Sequence, residues 1–179
     1  MSPTGDSTSI RKARTGDFDA IASLIALAFE PEANRWQGEI IQSVLFKELV
    51  RDGDDVVSLV AEGSGIVGHV FVSPVSLNPP TDLSCAQVSP LSVHPDFQTR
   101  GIGSALMKAA IEKSREAGLD ALFLLGNPDY YERFGFSPSG VRSAYGPSKY
   151  FQELELKTGC LKSADVHVHL APAFTRLGL

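Results

Sequence analysis

The chain has 179 residues and a formal net charge of −5, with 43% hydrophobic and 21% charged residues, a composition typical of one folded globular domain. No cluster of Lys and Arg forms a basic stripe, which argues against nucleic acid as a partner, and no apolar run is long enough to cross a membrane. Residues 1–9 do not resemble a signal peptide, and Cys85 and Cys160 belong to no C-x-x-C motif. We therefore expect a cytoplasmic protein with free thiols and no metal.

The first half of the chain predicts two helices and a hairpin behind a short tail. Residues 1–7 are rich in Ser and Thr and predict a flexible tail, so the single predicted domain covers residues 8–179. The hydrophobic patterns then predict a strand over 9–13, a helix that follows Thr15 and ends at Pro31, and a second helix over 38–50. The β-rich runs 56–61 and 66–75 are joined by a glycine-containing turn, which predicts a hairpin.

The second half predicts a strand on each side of a long helix. The strand over 85–93 contains Pro90, which removes a ladder donor and predicts a bulge or an unpaired edge. The helix over 102–117 ends at Gly118, and the apolar strand 121–125 is typical of a parallel or central position. A short helix from Asn127 to Gly135 and strands over 151–156 and 165–170 follow. Together these elements predict an α/β fold, a mixed sheet with helices on both faces.

The loop before the long helix carries the strongest chemical signal, Gln98-Thr99-Arg100-Gly101-Ile102-Gly103-Ser104. The first N–H groups of a helix have no backbone partners, and together with the helix dipole they favour an anion. Gly101 and Gly103 permit unusual backbone dihedrals and the close approach of a ligand. The loop therefore predicts a site for the pyrophosphate of a nucleotide-like cofactor.

Two familiar phosphate loops do not fit this segment. A P-loop requires a lysine after its last glycine, and none is present here. A dinucleotide-binding fingerprint requires a third glycine where this chain has Leu106, and it lies near the start of a βαβ unit. An ordinary strand–helix turn would also contain glycines, but the longer string, with Val93-His94-Pro95 upstream, favours cofactor binding.

The pattern Q-x-x-G-x-G-[SA] at residues 98–104, preceded by Leu91-Ser92-Val93-His94-Pro95, resembles the acetyl-CoA-binding signature of the GCN5-related N-acetyltransferase (GNAT) family. The segment Tyr131-x-x-Phe-Gly-Phe136 resembles that family's Y-x-x-x-G-F element, and the longer string 125–136 is similar to the YhbS-like branch. The start Ile10-Arg-x-Ala13 and the central hairpin precede them in the family's order, so the resemblance covers most of the chain.

The resemblance implies the GNAT acyl-CoA N-acyltransferase fold, a mostly antiparallel mixed sheet whose fourth and fifth strands splay apart and admit the pantetheine arm. It also implies that acetyl-CoA is a co-substrate, held by the backbone of the fourth strand and the N–H groups of the loop. A solvent-facing position for Arg100 and a helix-capping role for Asn127 are alternatives. The implied cofactor-binding residues are Leu91, Ser92, Val93, Gln98, Thr99, Arg100, Gly101, Ile102, Gly103, Ser104 and Asn127.

The reaction implied by the resemblance is acetyl transfer to a primary amine of a small molecule or a protein, by direct attack in a ternary complex. Tyr131 occupies the family's general-acid position, from which a tyrosine with a pKa of about 10 can protonate a thiolate whose thiol has a pKa of about 8.5. A packed tyrosine is the alternative. Many relatives carry a basic carboxylate on the fourth strand, but residues 85–93 contain no Asp or Glu. The candidate bases are Glu30, Glu132, His94 and a water chain.

A non-catalytic acyl-CoA-binding regulatory module on the same fold is the alternative function, because a fold does not fix an activity. Tyr131 favours the enzyme, and the absent carboxylate on the fourth strand leaves room for the module. The acceptor amine and the oligomeric state are not readable from the sequence, and a homodimer is among the open options.

Overall fold

The computed structural model describes residues 7–32, 34–162 and 165–179. The predicted N-terminal tail, residues 1–7, lies outside the described residues except for Ser7. The helices are α1 (Phe18–Phe29), α2 (Ile41–Asp52), α3 (Ile102–Glu116), α4 (Pro128–Tyr131) and α5 (Pro172–Leu177). The strands are β1 (Ser9–Lys12), β2 (Arg35–Trp36), β3 (Glu39–Ile40), β4 (Val57–Glu62), β5 (Ile66–Pro74), β6 (Ser76–Asn78), β7 (Cys85–Val93), β8 (Ala121–Leu125), β9 (Ser137–Pro138), β10 (Arg142–Ser143), β11 (Phe151–Glu155) and β12 (His167–His169).

The main sheet has the strand order β1-β4-β5-β7-β8-β11-β9. Its neighbouring strands are antiparallel except for β7 and β8, which run parallel to each other. The predicted bounds of β7 and β8 are confirmed, and so are the β4–β5 hairpin and the start of α3 at Ile102. The mixed, mostly antiparallel sheet that the sequence predicted is therefore present.

The parallel strands β7 and β8 part after three residue pairs, which join Cys85–Gln87 to Ala121–Phe123. Beyond Gln87, β7 continues beside β5, while β8 remains paired with β11 as far as Leu125. The edge of β7 that faces β8 is consequently unpaired from Val88 to Val93. This gap confirms the expected splay of the fourth and fifth strands, which β7 and β8 represent in this chain.

A bulge in β7 lies at the start of the gap. Val70 of β5 is opposite Leu91, whereas Val72 is opposite Val88, so two residues of β7, Ser89 and Pro90, face one residue of β5. Proline has no N–H group to donate to the ladder, and a strand that contains it tends to bulge. The bulge predicted from Pro90 is thus confirmed.

Helices cover both faces of the main sheet, as predicted. On one face α3 buries Leu106, Met107 and Ala110 against β4, β5, β7 and β8. On the other face α1, α2 and α5 form a second cluster around Phe71 of β5. At Gly68 a Cβ atom would lie 2.8 Å from Leu106 Cδ1 and 2.9 Å from Ile102 Cγ2, so this glycine lets the first turns of α3 close onto β5.

Two parts of the C-terminal region differ from the sequence prediction. The strand predicted over residues 165–170 is shorter, and as β12 it lies between β6 and β10 in a separate small sheet. The prediction also missed α5, which packs Phe174 and Leu177 against α2. Pro172 in its first turn and Gly178, with φ of 72° after its last turn, are ordinary boundary signals for a helix, but a six-residue helix offers too little periodicity to be recognised.

His69 is a fully buried titratable group in β5. Its Nε2 lies 3.0 Å from Ser58 Oγ, and its ring meets Phe46 edge to face. Burial lowers the pKa of His69 from 6.5 to about 3, because an imidazolium in this apolar layer would lose its hydration. The residue is therefore neutral in the folded chain at physiological pH.

Protonation of His69 is expected to dominate the loss of stability between pH 6.5 and 4.5. Since its pKa is lower in the folded chain, the unfolded chain binds the extra proton, and stability falls as the pH decreases toward 3. The expected slope approaches about 1.4 kcal/mol per pH unit for one proton. Urea unfolding at several pH values should give a flatter profile for His69→Asn. The exposed His169→Asn serves as the control, and parallel profiles for His69→Asn and the unaltered chain would contradict the assignment.

Candidate active site

The segment that follows β7 is held against β5 by backbone and side-chain hydrogen bonds. The N–H group of His94 donates to the carbonyl of Val67 at 2.8 Å, and His94 Nδ1 accepts from the N–H group of Asp96 at 3.2 Å. Both bonds fix the turn Pro95–Phe97. With its Nδ1 occupied in this way, His94 is a structural residue of the turn.

The loop itself is shaped by Gln98, Thr99 and Gly101. Gln98 Nε2 donates to the carbonyl of Val93 at 3.1 Å, which ties the loop back to the end of β7. Thr99 has φ of 62°, and Gly101, with φ of 82°, immediately precedes α3. The first helical hydrogen bond is donated by the N–H group of Ala105 to the carbonyl of Gly101, at 3.0 Å. The N–H groups of the preceding helical residues consequently have no partner within α3.

A cavity of about 540 Å³ opens in front of this helix terminus. Because the unpaired N–H groups and the helix dipole point into it, the cavity is electrostatically suited to an anion. Its walls also include Tyr130 and Arg133. The predicted cofactor-binding residues that line it are Leu91, Val93, Gln98, Thr99, Gly101, Ile102, Gly103 and Ser104.

Three predicted cofactor-binding residues do not line this cavity. The side chain of Ser92 is buried on the opposite face of β7 from Leu91 and Val93, as strand alternation requires. The guanidinium carbon of Arg100 lies 5.1 Å from the centre of the Phe97 ring, outside the cavity. Asn127 Oδ1 accepts from the N–H group of Asp129 at 3.0 Å and caps α4. For Asn127 the structure therefore shows the capping alternative.

Arg133 and Tyr130 are cavity residues that the sequence analysis missed. The guanidinium carbon of Arg133 lies 4.5 Å from the centre of the Tyr130 ring, and both residues line the cavity. The hydroxyl oxygen of Tyr130 lies 2.8 Å from the position that a Cβ atom would take at Gly103. Their spacing of three residues on one helical turn was the available signal, but it does not indicate which cavity the pair would face.

A second cavity, of about 320 Å³, lies between the other side of the strand gap and the helices α1, α2 and α5. Leu91 lines both cavities, so they adjoin at the unpaired edge of β7. Tyr131 lines the second cavity, whereas its neighbour Tyr130 lines the first. At the gap between β7 and β8, a cavity suited to an anion therefore adjoins a cavity that contains Tyr131.

Tyr131 is packed tightly at the end of β8. A Cβ atom at Gly126 would lie 2.4 Å from its Cε2 atom, and the rings of Phe134 and Phe136 lie 6.4 and 6.2 Å from its ring centre. Burial, with a smaller contribution from Tyr130, raises the pKa of Tyr131 to about 12, and no hydrogen bond contributes to the shift. The hydroxyl therefore remains protonated at neutral pH and is available as a proton donor.

The candidate bases from the sequence do not meet at Tyr131. Glu30 forms an ion pair with Arg35 at 2.7 Å, His94 holds its turn, and neither Glu30 nor Glu132 lines the second cavity. Among the described residues that do line it, the one carboxylate is Glu32, which the sequence analysis did not consider. Its Oε2 accepts from Gln42 Nε2 at 3.3 Å.

Comparison with known proteins identifies the family. Residues 9–139 match the model of the acetyltransferase (GNAT) domain. The chain belongs to the GNAT family. It is 32% identical over 127 residues to the uncharacterized N-acetyltransferase YjhQ of Escherichia coli strain K12, and the match covers 70% of this chain but 65% of YjhQ, just under two thirds of its length. The uncharacterized N-acetyltransferase YhbS of the same strain is 31% identical over 123 residues, which are 67% of this chain and 68% of YhbS.

Solved GNAT structures share the fold along nearly the whole chain. E. coli YhbS, solved in complex with CoA, superimposes with a TM-score of 0.87 at 25% identity. The match covers 100% of this chain and 98% of the YhbS chain. A GNAT acetyltransferase from Brucella melitensis, solved with acetyl-CoA, gives a TM-score of 0.78 at 29% identity. The match covers 94% of this chain and 99% of the Brucella chain. The GNAT fold implied by the sequence motifs is thus confirmed.

The described residues, 7–32, 34–162 and 165–179, contain neither a cluster of metal ligands nor a membrane-spanning helix. Over these ranges no three His, Cys, Asp or Glu side chains converge as a metal site would require. In the same ranges no helix combines the length and the apolar character needed to cross a bilayer.

Gly126→Ala is expected to lower the free energy of unfolding by about 1–3 kcal/mol, the usual cost of overpacking, because the added methyl group overlaps the Tyr131 ring. Gly140→Ala is the control, since a Cβ atom there meets nothing within 4 Å. Urea denaturation measures both. If the contact with Tyr131 is the cause, Tyr131→Ala should lower the free energy of unfolding less in the Gly126→Ala variant than in the unaltered chain. Strict additivity of the two changes would refute it.

Proposed function

We propose that this chain is an N-acetyltransferase that transfers the acetyl group of acetyl-CoA directly to a primary amine in a ternary complex. The observation that carries the proposal is the gap between β7 and β8, which joins the cavity at the α3 terminus to the cavity containing Tyr131. Two substrates can reach one point from opposite sides of such a gap. The complexes of E. coli YhbS with CoA and of the Brucella protein with acetyl-CoA support the choice of cofactor.

The cofactor is expected to lie across the gap with its pyrophosphate at the first turn of α3. The N–H groups there provide hydrogen bonds to phosphate oxygens, and Arg133 adds a positive charge at the wall of the cavity. The pantetheine arm carries amide groups, and the unpaired edge of β7 from Val88 to Val93 can bond them as a strand would. The thioester then lies beside Leu91, where both cavities adjoin.

The chemical step joins the amine nitrogen to the thioester carbonyl carbon and breaks the C–S bond. The nitrogen loses one proton and the departing sulfur gains one, so the protons balance. In this proposal Tyr131 supplies the proton to the sulfur. The pKa of Tyr131, about 12, is higher than that of a thiol, so proton transfer to a free thiolate would be unfavourable. The transfer must therefore accompany C–S cleavage. The tyrosinate must then recover the proton that the nitrogen releases.

A non-catalytic acyl-CoA-binding module is the second candidate, and it is favoured by the absence of Asp and Glu from β7. Both candidates bind acetyl-CoA, but they differ in turnover. Release of free CoA with a panel of amines, measured with a thiol reagent, supports the enzyme. Binding of acetyl-CoA by calorimetry without CoA release on any amine supports the module.

Gly103→Glu is expected to weaken CoA binding by about a hundredfold or more, which corresponds to about 2.7 kcal/mol. The new carboxylate would occupy the phosphate position and repel the pyrophosphate. A glutamate in the first turn of a helix is not harmful in itself. Its Cβ atom would meet the Tyr130 hydroxyl at 2.8 Å, but this is the far end of a side chain that can move, so the variant should remain folded. Calorimetric titration with CoA measures the effect. Gly16→Glu, at an exposed and open position, makes the same charge change as a control, and equal affinities in the two variants would refute the site.

Tyr131→Phe is expected to lower kcat by about a hundredfold, within the range of general acid catalysis, and to leave the Kd for acetyl-CoA within about twofold of the unaltered chain. The ring is kept, so the packing against Gly126 is kept as well. Tyr130→Phe is the matched control, because Tyr130 lines the phosphate cavity and should retain kcat. A kcat for Tyr131→Phe within about twofold of the unaltered chain would exclude this hydroxyl as the acid.

A further inference from the structure

The second cavity has a mainly apolar wall that comes from every element around it. Phe29 of α1, Leu45 of α2, Leu125 of β8 and Phe174 of α5 contribute to it. At about 30 Å³ per water molecule, the volume of about 320 Å³ holds roughly ten water-sized groups. An acceptor of that size would transfer most of its surface from water to apolar side chains, so an apolar body is favoured over a polar one.

The charges at this cavity have one sign. Of the described residues in its lining, Glu32 is the one with a charged side chain, and it is exposed at the rim. Arg35, the nearest cation in the sequence, is paired with Glu30 at 2.7 Å. A cationic amine is attracted to such a rim, whereas an acceptor with its own carboxylate would meet a like charge and no cationic side chain among the described lining residues.

Two residues of the cavity lining, Gln42 and Gln87, have a buried amide oxygen without a hydrogen-bond partner, and Gln87 is the one on β7 beside the gap. Gln87 of β7 is 2% exposed, and its Oε1 has no hydrogen-bond partner. Tyr145 also lines the cavity. A buried amide oxygen without a donor is costly unless a ligand supplies one, and the N–H groups of an amine are such donors. Gln87 lies where β7 parts from β8, at the beginning of the gap.

We infer that the acceptor is a primary amine on an apolar, uncharged body without an acidic group, with its nitrogen directed toward Gln87. Glu32 is then a specificity-determining residue, which rejects amines that bear a carboxylate. This inference rests on the proposed function and assigns the substrate class of its acceptor cavity. A free amino acid, which bears a carboxylate, and a peptide N-terminus, whose body is polar, are the classes that it excludes as preferred acceptors.

The test compares acceptors that differ in one group. 2-Phenylethylamine and phenylalanine share an aromatic ring and an amine, and phenylalanine adds the carboxylate, which phenylalanine amide masks. With saturating acetyl-CoA, kcat/KM from CoA release is expected to be at least about tenfold higher for 2-phenylethylamine than for phenylalanine, with the amide between them. Glu32→Gln should reduce that ratio to about threefold or less, since it removes the repulsion. Glu112→Gln, the same change at an exposed position outside the cavity, should keep the ratio.

Each outcome decides between the two proposals. Equal or better use of phenylalanine, or an unchanged ratio in Glu32→Gln, would overturn the inference about the acceptor. Preferential acetylation of a peptide N-terminus would also overturn it while leaving the proposed function in place. If acetyl-CoA binds and no amine in the panel is acetylated, the proposed function fails with it, and the acyl-CoA-binding module is the supported alternative.

Discussion

The architecture depends on the separation of β7 from β8 beyond Gln87. A strand inside a sheet normally has both edges paired, because unpaired backbone N–H and C=O groups lose hydration without gaining a partner. Here no strand pairs with the edge of β7 facing β8 from Val88 to Val93, although Gln98 Nε2 donates to the Val93 carbonyl at its end. The bulge at Ser89 and Pro90 marks the start of this stretch. The fold thus retains an open strand edge between two cavities, and a ligand with amide groups can complete it.

The position of α3 links the hydrophobic core to the anion-binding terminus. Leu106 and Met107 are fully buried against the sheet, so the helix cannot shift without loss of core packing. Gly68 removes the side chain that would keep the first turns of α3 from β5, and Gly103 leaves space beside the Tyr130 hydroxyl. The unpaired N–H groups are therefore held at a fixed place by a rigid helix rather than by the loop alone.

The local features of this fold were predictable from the sequence, and the long-range ones were not. The bounds of β7, the bulge at Pro90 and the loop 98–104 follow from periodicity, proline chemistry and glycine spacing. The splay came with the family resemblance. The family resemblance named Arg100 of the loop as a cofactor-binding residue, with a solvent-facing position as the alternative; in the structure Arg100 lies on Phe97, and Arg133 lines the cavity. The place of Arg133 depends on how the chain packs after β8, which no local pattern encodes.

The adjacent tyrosines show how one short helix can present two side chains to different cavities. Successive residues of a helix point about 100° apart, so Tyr130 and Tyr131 face different sides of the gap, with ring centres 4.9 Å apart and planes at 89°. The Tyr130 hydroxyl lies against Gly103, at the anion-binding terminus, whereas Tyr131 is buried against Gly126. Burial gives Tyr131 a pKa of about 12, which is above that of an ordinary thiol. In the proposed reaction its proton therefore moves only while the C–S bond breaks and the amine nitrogen releases its own proton.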